Sequence, residues 1–335
     1  MNRKVSSSGK FLFLAAALAA LILGCGATSR DGGEPAAGRP AEQVSADRYS
    51  EIIGRRDEAG NLTVYFLDLS VENEAEDKSG DSSLVIFPEG SVMLVDTGHP
   101  ESAGDILAFL RDMGITKIDR VVLSHPHIDH IGGFSEIARV HEIGEVYQIE
   151  MDYPTDTYRQ AQDTIRAMGI PARYLKRGDR VTLEDTVSME IFNPEETLVY
   201  PQDFPDNSTQ FVNNSSIVMK FTYGDSSVIM AGDIYSPRER DLTDQFGERL
   251  RADVAKATHH GADTSNSNRW IRTVRPLIVV SMHDVMGSMA VYNNYRKSGT
   301  DYYHTLYDGI VRVRMDSKQN YTVTTRFDSW LRQEE

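Results

Sequence analysis

The sequence predicts an α/β protein, a four-layer αββα sandwich in which two sheets are buried against each other. Two observations predict it. A strand hairpin followed by alternating helices and strands occurs once in each half of the chain, and no short solenoid-like period interrupts that pattern. The strand segments are short apolar runs, while the stretches between them carry helical periodicity.

The elements follow in order. Residues 62–67 are strand-like, and 84–87 and 92–95 flank Pro88-Glu89-Gly90, a hairpin signal. The acidic run 72–81 reads as a solvated loop rather than a calcium site. Ile106, Leu107, Leu110 and Met113 share one face of a helix over 101–113 that Gly114 ends. A buried strand at 120–124 and a helix at 132–140 enclose a histidine-rich turn. A strand at 146–149, a helix at 155–168 stopped by Gly169, and a strand at 187–192 complete the first half. The second half has a hairpin, 216–223 and 227–230, across Gly224-Asp225. Helices near 237–247 and 266–274 alternate with strands near 254–257 and 277–281, and strands near 309–315 and 321–326 close the chain.

Composition narrows the function. The 335 residues are 40% hydrophobic and 25% charged, ordinary for a globular protein. A net charge of −15 argues against holding duplex DNA or an acidic membrane by charge alone, although bound metal ions can supply local positive charge. Arg3, Lys4 and Lys10 precede an apolar run at 11–23, and Cys25, the single cysteine, follows. That arrangement resembles a bacterial lipoprotein signal: residues 1–24 are expected to be removed and Cys25 lipidated. An uncleaved N-terminal anchor is the alternative. Both readings leave the rest extracytoplasmic, tethered to a bacterial membrane. Residues 25–60, rich in Gly, Ala, Pro and charge, are expected to form a flexible tether, and 61–335 the folded domain. With Cys25 lipidated, disulfides within the chain, cysteine catalysis and cysteine zinc ligation are excluded.

The chemistry concentrates in His125-Pro126-His127-Ile128-Asp129-His130, with Gly132-Gly133 behind it. Neutral imidazoles and a carboxylate at the end of a strand form a metal site, suited to zinc, manganese or iron. Three other loops that follow apolar strands also end in metal-type donors: Asp96, Asp233 and His259-His260. Residues two apart in extended chain point the same way, so His125 and His127 can grip one ion. Asp129 and His130, past the turn, can reach a second, Asp233 can bridge, and one of His259 and His260 completes the second ion's shell. Two ions about 3.5–4 Å apart can share a hydroxide nucleophile.

These residues resemble the metallo-β-lactamase superfamily. The resemblance narrows to the extracellular hydrolase domain of the ComEC competence proteins. Phe66-Leu67-Asp68, Gly80-Asp81-Ser82, 94–98, 124–133, 213–218, Ala231-Gly232-Asp233, 256–261 and Ser265 occur in that order. It covers roughly residues 61–315 and implies a free-standing, lipid-tethered version of that domain with two divalent ions, zinc first. It further implies that His125 and His127 hold one ion, Asp129 and His130 the other, and that Asp233 bridges. Of the pair, His259 is favoured as ligand and His260 as the residue near substrate, with the choice left open; Asp129 and His260 carry the catalytic expectation. Asp96 would orient a ligand histidine, and Asn213 or Asn214 would stand near the first ion. The chain departs from the superfamily in having no histidine between His141 and His259, and from the narrower family in lacking its Gly-His-Pro segment.

Simpler readings apply elsewhere. His99 and His141 read as surface or helix-end residues, His283 as an even choice for a pocket residue, His304 as less so. Ser265 reads as a helix cap. Tyr292, Tyr295, Tyr302, Tyr303 and Tyr307 read as packing sooner than as a stacking platform for bases. The function expected is a metal-dependent phosphodiesterase of nuclease type, acting on a phosphodiester, another small anionic substrate or single-stranded nucleic acid. No obligate protein partner is evident. The alternatives are a lactonase or β-lactamase-type hydrolase, or a non-catalytic metal-binding lipoprotein.

Overall fold

A computed structural model describes residues 47–54, 58–72, 78–198, 208–329 and 331, all within the compact unit Val44–Glu335. The expected leader, Cys25 and the tether up to residue 46 lie outside the described residues. The tether's last part does not stay free. Tyr49–Ile52 forms a helical turn whose Ile52 is fully buried, and the Arg48 N–H donates to the Arg326 carbonyl at 3.2 Å. Apolar Ile52 and half-buried Ile53 make this segment part of the domain rather than a linker.

Fifteen strands are present among the described residues: β1 Leu62–Phe66, β2 Ser83–Ile86, β3 Val92–Val95, β4 Lys117–Leu123, β5 Glu142–Gln148, β6 Ala172–Tyr174, β7 Arg180–Glu184, β8 Val187–Asn193, β9 Val218–Tyr223, β10 Ser226–Ala231, β11 Val254–Lys256, β12 Ile278–Ser281, β13 Asp301–His304, β14 Val311–Met315 and β15 Tyr321–Thr325. One sheet runs β15-β14-β1-β2-β3-β4-β5-β6, the other β13-β12-β11-β10-β9-β8-β7. Each mixes an antiparallel hairpin side with a parallel side, β3 to β6 in the first and β10 to β13 in the second.

The layers follow from alternation along the strands. In β1, Leu62, Val64 and Phe66 enter the core between the sheets with Ile191, Met219, Phe221 and Val280 of the second sheet. Tyr65 points the other way, into the layer formed by helices Ala103–Asp112, Phe134–Val140 and Asp156–Met168. Helices Ser236–Phe246, Asn268–Val274 and Met289–Lys297 cover the outer face of the second sheet, around Trp270, Ile271 and Val279. This is the αββα sandwich.

Several elements carry too little pattern to be read in advance: β6, β7, β13 and the helices Thr209–Asn214 and Met289–Lys297. In the last of these only Val291 and Tyr295 are buried. Tyr295 and Tyr302 pack in that outer layer, with the Tyr292 ring edge-on to Tyr302 at 5.2 Å, so they are packing residues and no exposed platform.

His304, at the end of β13, is fully buried. Its Nδ1 accepts the Leu306 N–H at 3.2 Å, and Nε2 has no partner. Burial pulls this imidazole down to about 3. It stays neutral in the fold, while the unfolded chain protonates it below about pH 6.5. Stability is therefore complete above that pH and is lost as pH falls toward 3, on the order of 3 kcal/mol by pH 4. Urea midpoints at pH 7 and pH 4 should show a larger drop for the wild type than for His304→Gln; equal drops would remove His304 as the cause.

Candidate metal centre

The parallel strands of both sheets end at one edge. Asp96 follows β3, Ser124 to His130 follow β4, Asp233 follows β10, His259-His260 follow β11 and His283 follows β12. Backbone bonds knit the loops together. The Asp81 N–H donates to the Asp129 carbonyl at 3.1 Å, Thr97 N–H to His130 at 2.7 Å, and Gly98 N–H to Asp81 at 2.9 Å. Only glycine fits at position 80: φ is +78°, and a Cβ there would lie 1.7 Å from the Asp129 carbonyl oxygen. His127 stands in extended chain just past a bend at His125, and the turn Ile128–Ile131 then swings Asp129 and His130 inward.

Two imidazoles converge on one carboxylate oxygen. His130 Nε2 and His260 Nε2 each lie 3.2 Å from Asp233 Oδ2. Asp129 Oδ2 is 3.5 Å from His260 Nε2 and 3.9 Å from His130 Nε2. Behind each ring stands a second carboxylate: Asp96 Oδ2 accepts from His130 Nδ1 at 2.9 Å, and Asp81 Oδ1 from His260 Nδ1 at 3.1 Å. Such carboxylate–imidazole pairs fix ring orientation and tautomer. Asp96, at φ +59°, is itself held by the Ser124 N–H and hydroxyl, both at 2.7 Å. Lys256 is buried behind the pair, with Nζ 2.5 Å from Asp81 Oδ2 and 4.0 Å from Asp233 Oδ1.

Donor atoms of Asp81, His130, Asp233 and His260 all lie within 4.8 Å of one another. Asp81 is nevertheless engaged by His260 Nδ1 and Lys256 on the far side of the ring, so Asp129 takes its place facing the imidazole Nε2 atoms. The set fits a divalent ion on a further observation: Asp233 Oδ1 and His260 Nε2 are buried without a hydrogen-bond partner. His125 Nε2 lies 3.0 Å from His127 Nδ1, and the His125 ring is 4.1 Å from that of His130, so the first pair adjoins the second.

Electrostatics agree with this set. Burial pulls His130 and His260 toward neutrality, but Asp233, with Asp129 and Asp96 or Asp81, outweighs it and holds both well above the usual histidine range. These protons sit where an ion would bring its charge, so metal binding would release them. Burial and the neighbouring imidazoles push His125 well below the usual range, and burial lowers His127. Both shifts favour the neutral form, the one that ligates metal.

The placement reverses the expectation for His259 and His260. Both adopt left-handed backbone, φ +47° and +54°, and their side chains diverge. His260 enters the cluster. His259 turns outward: its Nδ1 is 2.7 Å from Thr264 Oγ1, its ring packs on Tyr235 at 4.8 Å, and its Nε2 stays 3.9 Å from Asp233 Oδ2. Asn214 does not serve the site as expected. Its Oδ1 accepts the Tyr235 N–H at 2.9 Å and its Nδ2 donates to the Gln210 carbonyl at 2.7 Å, which engages both ends of the amide on backbone. Ser265 donates to the Ile234 carbonyl, while Ser267 caps the next helix. His283 comes within 5.0 Å of the His260 ring and holds Asp284. Sequence reasoning missed Asp81 and Lys256. Both stand in the segments that carried the resemblance, but neither was given a role.

A family model of the metallo-beta-lactamase superfamily matches residues 77–283. The chain belongs to this superfamily. It is a metal-dependent hydrolase with a His/Asp centre that can hold divalent metal. ComE operon protein 3 of Bacillus subtilis (strain 168) is 27% identical over 214 residues, 59% of this chain and 26% of that protein. Competence protein ComA of Neisseria gonorrhoeae is 24% identical over 215 residues, 63% of this chain and 27% of that protein. The chain thus spans about a quarter of the length of these curated relatives. Among solved structures, the metallo-beta-lactamase fold protein YhfI from Bacillus subtilis superposes with a TM-score of 0.46 at 16% identity, covering 72% of this chain and 96% of that one.

Proposed function

We propose that this hydrolase is an extracytoplasmic phosphodiesterase, held to a bacterial membrane through a lipid on Cys25. The observation that carries the reading is the charge of the centre. Four buried carboxylates, Asp81, Asp96, Asp129 and Asp233, stand against Lys256, the one buried ammonium among the described residues. Two divalent ions would leave that set one charge positive, which favours an anionic ester. With no histidine between residues 141 and 259, the His125–His127 side has no further imidazole from the middle of the chain, which leaves room in an ion's shell for substrate oxygens.

Bound ions, zinc first and manganese or iron next, would lower the pKa of a shared water and polarise the ester. The chain's own groups do the rest. His125 and His127 offer neutral nitrogens, and Asp129, His130 and His260 converge on Asp233. Asp96 and Asp81 keep the two rings aimed. Likeness to the competence hydrolase domain supports nucleic acid or another phosphodiester as substrate. The acidic surface favours single strands or small anions over long duplex.

The test is turnover by the metal-loaded domain on bis-p-nitrophenyl phosphate, single-stranded DNA and nitrocefin, with Asp129→Ala as control. Phosphodiester cleavage that Asp129→Ala lowers by about a hundredfold or more is expected, since a group facing both Nε2 atoms is lost. Cleavage of nitrocefin alone would replace this reading with a lactamase. No turnover with metal tightly bound would leave a binding protein.

A further inference from the structure

The paired asparagines Asn213-Asn214 sit in buried chain, yet neither amide is engaged by the imidazoles described above. Both are directed at one residue, Tyr235, two positions beyond Asp233. Asn214 Oδ1 accepts the Tyr235 N–H at 2.9 Å and fixes its backbone. Asn213 Nδ2 donates to the Tyr235 hydroxyl oxygen at 3.3 Å and fixes the far end of its ring. The ring lies against His259, 4.8 Å between centroids, and His259 Nε2 is 3.9 Å from Asp233 Oδ2, so Tyr235 stands one ring away from the bridging carboxylate.

A tyrosine hydroxyl accepts and donates. Here the accepting side is occupied by Asn213, and the O–H proton has no acceptor among the described residues. Tyr235 is half-buried rather than sealed in, so its hydroxyl can meet a ligand. A buried amide that orients a hydroxyl whose own proton is uncommitted is an arrangement for donating to something not yet bound.

We propose that Tyr235 contacts substrate, donating its O–H to a non-bridging phosphate oxygen, and that Asn213 is its positioning residue. This rests on the phosphodiesterase reading. Donors aimed at oxygens that gain charge during reaction contribute strongly in a site closed to water. Tyr235→Phe keeps the ring on His259 and removes only the O–H.

The experiment compares full-chain, metal-loaded wild type, Tyr235→Phe, Asn213→Ala and the double variant, with bis-p-nitrophenyl phosphate as substrate and elemental analysis of bound metal. Tyr235→Phe is expected to lower kcat/KM by about a hundredfold at unchanged metal content. Asn213→Ala should lower it less, and the double variant should match Tyr235→Phe alone, because Asn213 acts only through that hydroxyl. Activity of Tyr235→Phe within twofold of wild type would overturn the proposal. So would an Asn213→Ala loss that multiplies with that of Tyr235→Phe. If wild type cleaves no phosphodiester, that reading fails by itself, and calorimetric titration of inorganic phosphate into the loaded proteins still tests Tyr235. Binding at least tenfold weaker in Tyr235→Phe supports the contact, and equal binding overturns it.

Discussion

His260→Ala is expected to lose about one metal ion per chain and most of the turnover, whereas His259→Ala keeps its full metal content. The two residues are adjacent, but only His260 brings Nε2 within 3.2 Å of Asp233 and 3.5 Å of Asp129. Removing an outer hydrogen-bond partner of a ligand typically weakens metal binding roughly 10–100-fold. Loss of His260 itself should exceed that, and Asp81→Ala or Asp96→Ala should fall within it. Elemental analysis after dialysis against a weak chelator reads all four variants. Retention of both ions in His260→Ala, with loss in His259→Ala, would put the ligand assignment on the wrong residue.

Lys256→Met should give the largest stability change in the metal-free domain. The lysine is 4% exposed and its ammonium pairs with Asp81 at 2.5 Å. Burial works against its charge, but Asp81 and Asp233 outweigh this and keep it protonated. Methionine of similar length leaves Asp81 buried with only the His260 imidazole against it, and breaking such a pair typically costs about 3–5 kcal/mol. Calorimetry should show a melting temperature roughly 5–15 °C lower. Saturating divalent metal should recover part of that loss, because ions that bind only the folded state stabilise it. An unchanged melting temperature without metal would mean that the pair is solvated and carries no such load.

What was legible in the sequence follows from local rules. Each strand that delivers a ligand is a short apolar run closed by a turn, and the spacing of His125 and His127 is that of extended chain. The order of the loops placed Asp96, His130 and Asp233 at one edge, and the structure shows Asp96 bonded to the His130 ring. The choice between His259 and His260 was not legible. It depends on two consecutive left-handed residues, which no propensity of histidine foretells. Asn214 was placed too near the metal because its amide is taken up by backbone, the Tyr235 N–H and the Gln210 carbonyl, which its position in the sequence does not reveal. Asp81 closes an acidic run that reads as solvated. It is buried because Gly80 lets the chain press against Asp129, a contact between loops far apart in sequence.

The last strands have a bearing on how the molecule comes together. β14 lies between β15 and β1, and Val64 is paired with Val313 in that ladder. Until residues 311–315 arrive, β1 offers a bare edge to whatever else can pair with it. Contacts so remote in sequence form slowly. A chain cut before Val311 would hold every metal ligand named above and still lack the strand that covers the outer edge of β1 in its first sheet.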